Sequence, residues 1–98
     1  MLEVRFTNSA EFDLEDIADF ISKDSQSRAL KYLDKMQNSI ELLANNPKLG
    51  ISCNNKNVDL DCRIFIFEDY LIFYRVLQDS ILIIRILHSS TNYKKILV

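Results

Sequence analysis

Residues 2–7, LEVRFT, alternate Leu2, Val4 and Phe6 with Glu3, Arg5 and Thr7, and this period of two predicts a half-buried strand. Asn8 or Ser9 then offers a cap for a helix whose apolar positions, Ala10, Leu14, Ile17, Ala18 and Ile21, keep one stripe of a 3.6-residue period. Acids at 11, 13, 15 and 16 fall in its first half, where the helix dipole favours negative charge, and read as a solvated face. A second helix starts at a cap among Asp24, Ser25 and Ser27 and buries Ala29, Leu30, Leu33, Met36, Ile40, Leu43 and Ala44. Asn45-Asn46-Pro47 ends it, because proline restricts the residue before it to extended conformations. Two helices with so short a connection predict an antiparallel hairpin.

From residue 60 the period changes to two. DCRIFIF, YLIFYRV and ILIIRILH, separated by Glu68-Asp69 and Gln78-Asp79-Ser80, predict a consecutive antiparallel meander. Residues 51–58 read as a polar loop, and Ser89 to Val98 as a short tail with Tyr93 and Ile96 packed back. The expected architecture is therefore α+β: a two-layer β-α-α-β-β-β domain over residues 1–98, with the helical hairpin on one face of a small antiparallel sheet.

Strict alternation assigns each strand residue to a face. One set, Leu2, Val4, Phe6, Cys62, Ile64, Ile66, Tyr70, Ile72, Tyr74, Val76, Leu82, Ile84, Ile86 and His88, is almost uncharged and should lie under the helices. The other set holds Arg5, Arg63, Arg75 and Arg85, four of the five arginines, interleaved with Phe65, Phe67, Leu71, Phe73, Ile81, Ile83 and Leu87. Arginine with aromatic residues is the composition of interface hot spots, so this second face is the expected partner site. The assignment holds only where no β-bulge shifts the alternation.

Composition then narrows the chemistry. Gly50 is the single glycine and excludes glycine-rich phosphate loops, and His88 is the single histidine and excludes two-histidine zinc motifs. Neither a metal nor a cofactor is expected. No apolar run approaches a membrane span, and residues 1–12 carry no signal-peptide pattern. Cys53 and Cys62 therefore read as reduced thiols, with a disulfide between them as the alternative. Net charge is -2, but residues 1–24 carry -5 and the remainder +3. His88 sits beside Ser89 and Ser90, yet adjacent strand residues point to opposite faces, which is poor triad geometry. It reads either as a general base near Arg85 or Tyr93, or as a hydrogen-bonded residue closing a strand.

The strings DLEDIADFI (13–21), ALKYLDKMQNSIELLANNPKLG (29–50), CRIFIFEDYLIFYRV (62–76) and ILIIRILH (81–88) resemble the RelE/ParE superfamily of bacterial type II toxins over nearly the whole chain. The resemblance implies a cytoplasmic toxin, neutralised in a hetero-oligomer by a small antitoxin whose extended segment wraps it. RelE-like members cut messenger RNA on the ribosome, whereas ParE-like members poison DNA gyrase. By resemblance, Arg63, Arg85 and His88 match family positions; an endoribonuclease would use these three together with Tyr93. A binding toxin would engage its partners through Arg5, Arg63, Phe65, Phe73, Arg75 and Arg85 without a catalytic residue. Many relatives follow the histidine with glycine and basic residues, while this chain reads Ser89-Ser90-Thr91-Asn92-Tyr93 and has a pI near 5.3. Missing cations there favour a gyrase-directed, binding toxin over the ribosome-dependent enzyme. A non-toxic antitoxin-binding member of the fold is the third reading.

Overall fold

A computed structural model describes residues 2–53, 61–93 and 96. The elements run β1 (Glu3–Phe6), α1 (Asn8–Ser22), α2 (Gln26–Asn45), β2 (Ile51–Ser52), β3 (Arg63–Phe67), β4 (Tyr70–Val76) and β5 (Ser80–His88). Two helices lie on one face of a five-stranded sheet of order β1-β5-β4-β3-β2, which is the expected α+β two-layer class. The sheet is mixed where an antiparallel one was expected, because β1 pairs parallel to β5. The segment read as loop also contributes β2, a two-residue strand antiparallel to β3 at the opposite edge. With β2 to β5 alternating in direction, β5 runs the same way as β1.

Local chemistry explains the helix ends. Thr7, one residue before the expected caps, accepts a hydrogen bond from the Ala10 N–H at 3.1 Å. Its own hydroxyl donates to the Ile84 carbonyl at 2.7 Å, so the cap also fastens α1 to β5. Ser25 caps α2 by accepting from the Arg28 N–H at 3.2 Å. The stripes on both helices pack as expected except at Leu30, which is 71% exposed. In the β3–β4 turn, Glu68 takes φ 52°, the left-handed conformation that a two-residue hairpin turn requires somewhere.

Two clusters of buried side chains occupy the two faces of the sheet. Beneath the helices lie Ala10, Ile17, Met36, Ile40, Leu43, Phe67, Ile72, Tyr74, Ile81, Ile83 and Ile86. Tyr32 of α2 packs edge-on against Phe67 and Tyr70 at its margin. Burial, reinforced by Glu68, Tyr70 and Asp69, pushes the Tyr32 hydroxyl up to about 12. The opposite face carries Cys53, Cys62, Ile64, Leu71, Phe73 and Leu87, with Ile84 and Tyr93 packed against them.

This division corrects the alternation in two places. Phe67 and Tyr70 flank the two-residue turn and pair directly, so they share a face. All of β3 is thereby inverted relative to the expectation: Phe65 and Phe67 turn to the helices, and Cys62 and Ile64 turn away. On β5 the register shifts where Phe73 pairs with Arg85 while Tyr74 pairs with Ile83. Ile84 is the extra residue of this bulge, so Ile81 and Ile83 face the helices and Ile84 faces away. Cys53 and Cys62, expected as reduced thiols, form a disulfide with Cα atoms 5.4 Å apart.

Candidate functional site

The site is built on the sheet face turned away from the helices. Arg5 and Arg75 both pair with Leu82, so they flank it in one row across β1, β5 and β4. Two strand spacings put their Cα atoms roughly 10 Å apart. Both arginines are exposed, and Arg75 meets the Asp61 carboxylate at 3.6 Å. That exposed pair contributes little stability and leaves the guanidinium available.

Two cavities open on this surface. One, of about 640 Å³, lies between Pro47, Leu49, Ser52, Asp61, Arg63, Arg75 and Val76. The second, of about 570 Å³, is lined by Thr7, Phe73, Arg75, Ile84, Arg85 and Ile96. Asp61, Cys62 and Arg75 border both, so the pair forms one groove with an apolar floor and arginines along its length. Tyr93 lies 5.4 Å from Phe73, ring centre to ring centre, as expected, whereas Ile96, also expected to pack back, is exposed. Lys94 and Lys95 lie outside the described residues.

The arginines do different things. Arg63 pairs with Tyr74, whose ring lies under the helices, so Arg63 leaves the expected face and reaches the groove from the sheet's end. Its Nε donates to the Gly50 carbonyl at 2.9 Å and its Nη2 to that of Lys48 at 3.3 Å. The Tyr74 hydroxyl completes this clamp, donating to the Pro47 carbonyl at 2.7 Å and accepting from the Gly50 N–H at 2.9 Å. Only glycine fits at 50: a Cβ would stand 2.6 Å from the Ile64 oxygen and 2.8 Å from the Tyr74 ring.

Arg85 is held from the other side. Its guanidinium donates through two nitrogens to both carboxylate oxygens of Asp13, at 2.8 and 2.9 Å. Asp13 also accepts the Ile86 N–H at 2.9 Å. Beyond Phe6, β1 no longer covers the edge of β5, and this carboxylate takes the place of the missing strand. The hydrogen bond and charge of Asp13 raise the Arg85 pKa, against an opposing effect of burial. Asp13 was expected on a solvated helix face, but it is 9% exposed. A single acid in a run of acids carries no sign of this role; the partner sits 72 residues away.

The other expected site residues are dispersed. Phe65 packs in the cluster under the helices, and Phe73 lies in the outer cluster with 0% exposure. His88 is exposed on the helix side, pairs with Tyr70 and stacks edge-on against its ring. Its Nδ1 lies 2.7 Å from the Ser90 hydroxyl oxygen and accepts the Ser90 N–H at 3.1 Å. Arg63, Arg85, His88 and Tyr93 thus do not converge on one point. No cluster of metal-binding side chains occurs among the described residues. None of their helices is long and apolar enough to cross a membrane.

This helical hairpin over a five-stranded mixed sheet has a counterpart among solved structures. A solved structure described as the chromosomal ParDE toxin–antitoxin system from P. aeruginosa has this fold, with a TM-score of 0.73 and 22% identity over 90% of this chain and 96% of that one. The family model for the ParE toxin of the type II toxin–antitoxin system parDE matches residues 4–93, and the chain belongs to that family. No curated protein shows significant sequence similarity to it.

Proposed function

We propose that this ParE-family toxin acts by occupying DNA gyrase, and that an acidic segment of its antitoxin neutralises it by lying in the arginine groove. The observation that carries the docking reading is the groove itself: Arg75 reaches solvent between two cavities whose floor is apolar, and Arg5 stands across Leu82 from it. Arginine heads around an apolar strip suit a chain that presents carboxylates at its flanks and apolar side chains at its centre. The residues named for the RNA-cutting alternative support binding over catalysis. Arg63 and Arg85 each commit two donors, to Gly50 and Lys48 and to Asp13, and His88 stands on the other side of the sheet. Phosphoryl-transfer chemistry would need those groups gathered around one phosphate.

Purified toxin added to gyrase and relaxed plasmid tests the target. Loss of supercoiling or accumulation of cleaved DNA at micromolar toxin is the expected result. Unimpaired gyrase, together with discrete cuts in a translated message that disappear in Arg85→Ala, would favour the ribonuclease instead. Toxin and target would meet in the bacterial cytoplasm.

A further inference from the structure

Cys62 borders both cavities of the groove and keeps 6% of its surface exposed, whereas its partner Cys53 keeps none. The Cys53 N–H donates to the Cys62 carbonyl at 2.9 Å, so the bond joins segments already held side by side. Ser52, directly before Cys53, pairs with Arg63 and lines the first cavity. Asp61, directly before Cys62, contacts Arg75. The disulfide therefore ties together the segments that form the groove's rim. It also belongs to the outer cluster, separate from the core under the helices. The two clusters are separate sets of side chains, a condition for a local opening instead of global unfolding.

We propose that Cys53–Cys62 is a redox-controlled clasp on the arginine groove, exchanged with small-molecule thiols and disulfides through the sulfur of Cys62. In opening, the thiolate of a small thiol attacks Cys62 Sγ, the Cys53–Cys62 bond breaks, and Cys53 leaves as a thiolate that takes a proton from water. A second small thiol attacks the resulting mixed disulfide, releasing the Cys62 thiolate and one molecule of small disulfide. Two electrons pass from the small thiols to the protein. Closing is the reverse, with the small disulfide as oxidant. The effect on partner binding rests on the docking reading above; the clasp itself does not.

The full chain equilibrated in glutathione buffers, from fully reduced to fully oxidised, provides the test. Quenched alkylation with mass analysis counts thiols, and amide hydrogen exchange reads local structure. The expected result is a reversible change of two thiols. On reduction, exchange should quicken at least tenfold at Cys53, Arg63 and Arg75 and stay unchanged at Ile17 and Ile40. Two single variants test the route. With oxidised glutathione, Cys53→Ser should trap a mixed disulfide at Cys62, while Cys62→Ser should leave Cys53 unmodified over the same time. Thiols that never oxidise, exchange that does not change, or protection lost throughout the chain on reduction would each overturn the clasp. Equal trapping at the two cysteines would overturn the route. None of these readouts needs a partner, so failure of the docking reading shows separately, in antitoxin affinity.

Discussion

Asp13→Ala tests whether a helix carboxylate finishes the edge of β5. The substitution removes the acceptor of two Arg85 donors at 2.8 and 2.9 Å and of the Ile86 N–H at 2.9 Å. Stripping one partner from a buried ion pair costs about 3–5 kcal/mol, because the remaining charge stays desolvated. The Arg85 side chain is 26% exposed and that of Asp13 10%, so water compensates part of the loss. The expected destabilisation is then about 3 kcal/mol, a fall in Tm on the order of 15 °C for a domain of this size. Urea denaturation of the wild type, Asp13→Ala, Arg85→Met and the double variant forms a double-mutant cycle. The double variant should recover most of the charge penalty and retain about 1 kcal/mol for the unpaired Ile86 N–H. A loss below about 1 kcal/mol in Asp13→Ala, or a double variant less stable than that single one, would refute the reasoning.

Other expectations concern packing and pH. Gly50→Ala should cost about 2 kcal/mol or more by urea denaturation, since the added methyl must displace the Ile64 backbone or the clamped Tyr74 ring. Ser80→Ala should leave stability unchanged or raise it slightly, because the buried Ser80 hydroxyl has no hydrogen-bond partner among the described residues. Tyr32 has its pKa raised from 10.0 to about 12 on folding, so the folded chain holds a proton that the unfolded chain releases between those values. Its contribution is complete below pH 10 and is lost as pH rises toward 12; partial exposure limits it to about 1 kcal/mol. Tyr32→Phe should remove that part of the alkaline slope in a series of melts.

Periodicity was a sound guide wherever one face meets the core. The helix stripes from Ala10 to Ile21 and from Ala29 to Ala44, Leu30 excepted, and the inward residues of β1 and of β4 as far as Tyr74 pack under one another as their spacing implies, whereas Val76, expected inward, is exposed. It failed where geometry between strands decides. A two-residue turn makes Phe67 and Tyr70 opposite partners, which reverses β3, and the Ile84 bulge reverses half of β5. Neither leaves a mark in the alternation of such uniformly apolar strands. The arginine face was legible in part. Arg5 and Arg75 are exposed on it, Arg75 with only the exposed Asp61 carboxylate beside it, whereas Arg63 and Arg85 are held by the turn carbonyls and by Asp13. Those attachments join residues far apart in the chain, and single-sequence spacing carries no record of them. The proline and the single glycine gained a reason in the structure: the Pro47 carbonyl and the Gly50 N–H share the Tyr74 hydroxyl.

The docking of an acidic antitoxin segment in the arginine groove is tested most directly by calorimetric titration of the cognate antitoxin into the Arg5→Glu/Arg75→Glu variant. Both side chains are exposed and neither carries the fold, so Tm should stay within about 2 °C of wild type. Affinity should fall about 100-fold, as reversing charges beside a bound acidic chain implies. Unchanged affinity in a variant of unchanged Tm would contradict the account.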